Sequence, residues 1–235
     1  MERLDKILVS QGVGSRKEVQ KIIRSKRVSV DSKLVTKPEF KLDAELSEVT
    51  LDGQTLNTKK HIYIMLNKPS GFVSATEDNL SRTVIELVPD ELYRRGLFPA
   101  GRLDKDTEGL MIITDDGDFA HRLTSPKNHV WKTYLAELDK TPTDEDVKAF
   151  EKGIILEDGT SLLPAELEIV SDKTARVRIR EGKFHQVKKM FAARSMRVMY
   201  LRREKIGGLV LDSNLTKGSC RELTNTEKEA IFVVK

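Results

Sequence analysis

Apolar residues recur at helical spacing at the start of the chain, and the period then changes. Leu4, Ile7 and Leu8 share one face until Gly12-Val13-Gly14 interrupts them, which predicts a short first helix. Ser15 opens a second helix: Glu18, three residues on, completes a Ser-x-x-Glu capping box, and Val19, Ile22 and Ile23 supply the buried stripe. Val28-Ser29-Val30 alternates as a strand, Asp31-Ser32-Lys33 turns, and Leu34-Val35 returns. The stretch 52–60 is polar and aperiodic and reads as a linker. The expected division is a small domain over 1–55, a linker over 56–61 and a larger domain over 62–235.

The larger domain opens on an apolar strand, Ile62 to Leu66, stopped by Pro69 and Gly71. Further strands are predicted at 110–114, 130–138, 154–156, 166–170, 174–180 and 198–202, and helices at 81–87, 117–124, 143–152, 184–194 and 225–232. Strands outnumber helices and short Gly or Asp turns join many of them. The predicted class is α+β, a helix-rich small domain followed by a mixed, mainly antiparallel sheet.

Composition narrows the classes of function. Of 235 residues, 38% are hydrophobic and 33% charged, and no stretch approaches the roughly 20 apolar residues that span a bilayer, so no membrane partner is expected. The amino terminus is charged from Glu2 onward and has no leader-like apolar run, so the expected location is the cytoplasm. A lone cysteine, Cys220, fits a reducing compartment and is too little for a zinc site. The net charge of +4 is unevenly placed: residues 1–60 hold 13 Lys/Arg against 9 Asp/Glu. Residues 176–205 carry 11 basic and 2 acidic side chains, whereas 137–172 carry 11 acidic and 3 basic. Two basic regions about an acidic one suit a protein that grips a polyanion at two places, and equally suit solvated faces.

The second helix and its exit concentrate Arg16, Lys17, Lys21, Arg24 and Arg27. Two helices and a small hairpin, with Arg3-Leu4-Asp5, Ser15-Arg16 and Arg27-Val28-Ser29-Val30-Asp31 in place, resemble the S4 RNA-binding domain. The chain departs from that family at Lys26, where glycine usually ends the helix, and at Asp31-Ser32, where Asn-Gly usually turns.

The segment Ala100-Gly101-Arg102-Leu103-Asp104-Lys105-Asp106-Thr107-Glu108-Gly109-Leu110 sets a cluster of charges between glycines just before an apolar strand. A carboxylate on such a loop is placed to act as nucleophile or base, though a polar loop is more often a solvated turn. The spacing Asp104-x-Asp106-x-Glu108-Gly109 matches the start of a calcium loop, but Asp115 stands where that loop takes a glutamate, and strands replace the flanking helices. No metal is expected.

Gly-Arg-Leu-Asp-x-Asp-Thr-x-Gly-Leu resembles the signature of the pseudouridine synthase family that includes the small-subunit ribosomal RNA enzymes. Three more segments resemble that family's motifs in order: Asn67-Lys68-Pro69-Ser70-Gly71, Lys132-Thr133-Tyr134 and Glu181-Gly182-Lys183-Phe184-His185-Gln186-Val187-Lys188. The resemblance implies that Asp104 is the nucleophile, that Lys188 is its cationic partner, and that Tyr134 stacks on the base and takes part in proton transfer. It implies chemistry without a cofactor, since the N1–C1′ bond of uridine is broken and rejoined through C5. Arg102, Lys183, His185, Gln186 and Lys189 are expected to contact RNA beside the S4-like basic residues. Ser125-Pro126 and Arg203-Glu204-Lys205-Ile206-Gly207-Gly208-Leu209 look more like the branch acting on 16S rRNA than like its 23S relatives. The expected partner is 16S rRNA or a small-subunit assembly intermediate, and monomer is the default state. The rival readings are the same chemistry on 23S rRNA and a non-enzymatic S4-type ribosome-assembly protein.

Overall fold

The computed structural model describes residues 1–44, 47–56, 58 and 60–233, and it divides the chain into two compact units. The first comprises Met1–Ile62 with Tyr93–Leu97. Its elements are β1 (Glu2–Arg3), α1 (Leu4–Ser10), α2 (Arg16–Arg24), β2 (Val28–Val30), β3 (Lys33–Leu34), β4 (Lys41–Leu42), β5 (Val49–Leu51) and β6 (Gln54–Leu56). The predicted capping box starts α2: Glu18 N donates to Ser15 Oγ at 3.4 Å, and Ser15 N to Glu18 Oε2 at 2.7 Å. Leu4, Ile7, Leu8, Val19 and Ile23 pack with Val28, Leu42 and Val49 in one core. The Arg3-Leu4-Asp5 signature has a physical role. Arg3 Nε and Nη2 grip the buried Asp5 carboxylate at 2.9 and 2.8 Å, which holds its pKa below the usual carboxylate range.

The structure differs from expectation at 52–60, where Gln54–Leu56 forms a strand paired with β5 in the order β3-β2-β5-β6. A turn at Asp52-Gly53 closes that hairpin, so the polar run is a hairpin tip with one exposed strand. Of the expected linker 56–61, residues 57 and 59 lie outside the described residues. Residues 93–97, which carry no S4-like signature, also belong to the first unit: Arg94 Nη2 donates to Lys60 O at 3.2 Å.

The second unit comprises Tyr63–Leu92 and Phe98–Lys235. Its elements are β7 (Tyr63–Lys68), β8 (Phe98–Pro99), β9 (Glu108–Thr114), α3 (Gly117–Thr124), β10 (Lys132–Leu138), α4 (Asp144–Lys152), β11 (Glu166–Ser171), β12 (Thr174–Ile179), α5 (Gln186–Ala192), β13 (Val198–Ile206), β14 (Leu209–Val210), β15 (Cys220–Glu222) and α6 (Asn225–Ala230). The sheet runs β11-β12-β10-β13-β9-β7-β15, with β14 on β13 and β8 on β9. Its pairs are antiparallel except β9 with β13, so the fold is the expected α+β class with a mainly antiparallel sheet. β9 is buried along its whole length.

Two expected elements are reduced. The helix at 81–87 is only a 3-10 turn at Val84–Leu87, because residue 83 bridges Val73 and Pro89 follows closely. The strand at 154–156 is a single bridge between Ile155 and Ser161. β13 is longer than expected, extending through the charged run 202–205 to Ile206. Among the described residues no helix is long and apolar enough to cross a membrane.

Candidate active site

The loop between β8 and β9 carries Asp104 and is pinned on both sides. Before it, Ser74 Oγ donates to Leu103 O at 2.7 Å and accepts from Leu103 N at 2.9 Å. After it, Thr107 N donates to Asp104 O at 3.1 Å and Gly71 N to Lys105 O at 2.8 Å. Lys68, fully buried at the end of β7, donates to Pro69 O, Lys105 O and Thr107 O at 3.0, 3.2 and 2.8 Å. Burial pushes the Lys68 ammonium down to about 8, against the pull of Asp106, Glu108 and Asp104 toward the charged form. The Asn-Lys-Pro-Ser-Gly motif is thus a clamp whose ammonium and Gly71 amide fix the backbone that presents Asp104.

Asp104 is partly exposed. Its Oδ2 lies 3.3 Å from Lys188 Nζ on α5, and its Oδ1 lies 3.5 Å from His185 Nε2 at the entry to that helix. Lys188 is shared, and its shorter contact, 2.6 Å, is to Asp106. Burial works against the charge on Asp106, but the Lys188 hydrogen bond and charge outweigh it and leave its pKa below the usual range. Sequence reasoning passed over Asp106, although the Asp-x-Asp spacing placed both carboxylates on one loop. The third acid of that spacing turns elsewhere. Glu108 meets Lys217 at 2.6 Å and accepts from Tyr200 Oη at 2.7 Å, so cations of the chain itself answer the calcium-like spacing.

Asp104, Lys188 and Tyr134 line one cavity of about 330 Å³, within the range of small-molecule pockets. Arg102, Lys183, His185 and Gln186 line it as well. Tyr134 comes from β10 opposite Arg203 of β13, whose Nη1 donates to the phenolic oxygen at 3.5 Å. Arg203 is buried and also donates from Nε to Leu110 O at 2.8 Å, a role that the charged run around it did not announce.

Gln186 is buried with its amide occupied: Oε1 accepts from Lys183 N at 2.9 Å and Nε2 donates to the buried Glu181 at 3.0 Å. It shapes the loop that carries Lys183, Phe184 and His185. Lys189 is outside the cavity lining, with its ammonium 5.5 Å from the centre of the Phe184 ring. In the first unit, Arg16, Lys17, Lys21 and Arg24 are exposed along α2, while Arg27 donates from Nε to Asp52 at 2.9 Å. The basic run 176–205 is likewise partly neutralised, since Arg176 pairs with Glu168 and Glu204, and Arg178 with Glu166.

Comparison with known proteins places this geometry in context. Residues 62–193 match the RNA pseudouridylate synthase family, and residues 2–46 match the S4 domain. The chain is 43% identical to ribosomal small subunit pseudouridine synthase A of Escherichia coli strain K12, covering 96% of this chain and 97% of that protein. It is also 43% identical to an uncharacterised RNA pseudouridine synthase of Bacillus subtilis, over 96% of each. A crystal structure of a pseudouridylate synthase superposes with a TM-score of 0.69 at 37% identity, covering 98% of this chain and all of the other. The cavity-lining residues from Val73 to Lys188 fall inside the matched region, and Leu201 lies beyond it. The chain belongs to the RNA pseudouridylate synthase family, an isomerase acting on RNA, and carries an S4 domain at its amino-terminal end.

Proposed function

We propose that the enzyme converts one uridine of 16S ribosomal RNA to pseudouridine, with Asp104 as the nucleophile acting on a nucleotide flipped out of its stack. The observation that carries this reading is the placement of a partly exposed carboxylate on a loop fixed at residues 103, 105 and 107. It stands 3.3 Å from Lys188 in the cavity that Tyr134 lines. Net isomerisation breaks N1–C1′, forms C5–C1′, and moves one proton from C5 to N1. The Asp104 carboxylate serves either by attacking C1′ or by taking the 2′ proton to open a glycal route, and in both the same group is required. Lys188, 3.3 Å away, sets a positive charge opposite it as solvent leaves the site. Tyr134 offers a ring face to the uracil and a phenolic oxygen, oriented by the Arg203 hydrogen bond, for transfer of the C5 proton.

A stacked uridine is out of reach of a carboxylate set in a cavity, so extrusion precedes chemistry and costs a few kcal/mol. Arg102, Lys183 and Lys189 beside the cavity and the basic face of α2 supply phosphate contacts that offset it. The enzyme works as a cytoplasmic monomer on 16S rRNA or a small-subunit assembly intermediate. The 43% identity to the small-subunit enzyme favours this substrate over 23S rRNA. Asp104→Asn is expected to keep the fold and the RNA affinity and to lose turnover by at least about a thousandfold, read as tritium release from uridine C5. Near-normal release by the variant sinks the nucleophile assignment, and pseudouridine mapped to 23S in place of 16S by a deletion strain sinks the substrate assignment.

A further inference from the structure

Single exposed apolar side chains are ordinary on protein surfaces and need no ligand. Phe184 is not ordinary. It is 70% exposed, yet it lines the same cavity as Asp104 and its ring is already stacked on a second ring. The centres of Phe184 and His185 are 3.8 Å apart with the planes tilted by only 20°, and His185 in turn lies 3.5 Å from the Asp104 carboxylate. His185 has a left-handed backbone (φ 52°), which a non-glycine residue adopts at a cost that the surrounding structure must cover. Two buried side chains do so: Gln186 ties Lys183 N to Glu181, and Glu181 accepts from Leu163 N at 2.9 Å. A buried polar clamp and a strained residue together hold an aromatic ring in water at the rim of the cavity. Folding alone gives no reason to keep it there.

We infer that Phe184, backed by His185, is a stacking platform for a second, unpaired nucleobase of the RNA, next to the uridine that enters the cavity. The inference rests on the RNA-modifying reading above and deepens it. One face of the ring is covered by His185, the Lys189 ammonium lies over the ring at 5.5 Å, and the side chain stays 70% exposed. The ring stands one ring-thickness beyond the histidine that touches Asp104, within reach of a neighbouring nucleotide. Every base has a π-face, so such a contact holds the strand without reading it by hydrogen bonds. Lys189, 5.5 Å from the ring centre, is placed for the phosphate of the stacked nucleotide. Phe184 is a substrate-binding residue in this account, and His185 positions it.

The test uses the full chain and total ribosomal RNA from a strain lacking the enzyme, tritiated at uridine C5 and separated into 16S and 23S fractions. Phe184→Ala is expected to raise KM on the reacting fraction about tenfold, with kcat at saturation and Tm little changed. Phe184→Trp should restore KM and Phe184→Leu should not, because an aliphatic side chain of similar hydrophobicity offers no ring. The slope of log affinity against log salt should stay at the wild-type value for Phe184→Ala, since stacking releases no counterions. An unchanged KM for Phe184→Ala, or full rescue by leucine, overturns the platform. Wild-type release from the 23S fraction alone overturns the substrate reading instead, and the Phe184 series is then read on that fraction.

Discussion

At the scale of single residues, the motif around Asp104 is as much about backbone clearance as about chemistry. Gly109 is the partner of Arg203 in the parallel β9–β13 pair and has φ +100°. A Cβ there would strike the Arg203 carbonyl oxygen and come within 2.9 Å of its amide nitrogen, both of them backbone atoms that cannot step aside. Gly109→Ala is therefore expected to destabilise the protein by about 2–4 kcal/mol, read as a lower urea midpoint with lost turnover. A wild-type midpoint in that variant would contradict the close approach of β9 and β13. The sequence showed a glycine at this position but not its neighbour, because a parallel pairing joins residues nearly a hundred positions apart. The departures in the first unit are more legible in hindsight. Lys26, Asp31 and Ser32 all adopt positive φ, as glycine or Asn-Gly would, so the S4-like turns persist on residues that tolerate them less well. Asp104, Tyr134 and Lys188 could be named from their motifs and do line one cavity. Asp106, Ser74 and Phe184 could not, since their roles depend on which atoms the fold brings within 3 or 4 Å.

At the scale of elements, local rules worked where the chain itself supplies the partner. The Ser15/Glu18 box, the alternation of Val28-Ser29-Val30 and the apolar run of β9 each needed only short-range pattern, and each is present. They failed where a long-range partner decides, as in β13, whose Arg202 to Lys205 run is a strand because β9 and β10 flank it. The last helix shows the same logic in its anchoring. Arg221 of β15 grips Glu227 of α6 with two hydrogen bonds, 2.9 and 2.6 Å, and reaches Asp212 at 2.7 Å. The Arg221 hydrogen bonds pull the Glu227 carboxyl down to about 2 from its ordinary 4.5, overcoming the opposing effect of burial. A carboxyl lowered on folding contributes stability that is complete above pH 4.5 and is lost as pH falls from there toward 2. Glu227→Gln is expected to be less stable than wild type at neutral pH, with the gap closing across that window in urea titrations at stepped pH. A gap of constant size from pH 7 to pH 2.5 would show that the ion pair does not carry the anchoring.

For the whole molecule, the charge count proved a poor guide to where a polyanion can be held. The densest basic run, 176–205, includes Arg176 and Arg178 in ion pairs with glutamates of neighbouring strands and a buried Arg203 that serves the sheet interior. The acidic stretch that precedes this run in sequence thus donates part of its neutralisation in space, through Glu166 and Glu168. Along α2 the picture differs: Arg16, Lys17, Lys21 and Arg24 are exposed, while Val19 and Ile23 on its other face are buried. Phosphate contacts made there add to affinity through counterion release, and each contributes roughly 0.7–0.9 to the slope of log affinity against log salt. Replacing Lys17 and Lys21 together with alanine is expected to reduce that slope by about 1.5 and to weaken RNA binding more at low salt than at high. Turnover at saturating RNA should stay near wild type, because neither side chain belongs to the unit that holds the cavity. The opposite pattern, an intact slope with a depressed kcat, would mean that the S4 domain acts on the chemistry and not on the grip. Salt titrations of binding and of kcat on the same double variant separate the two.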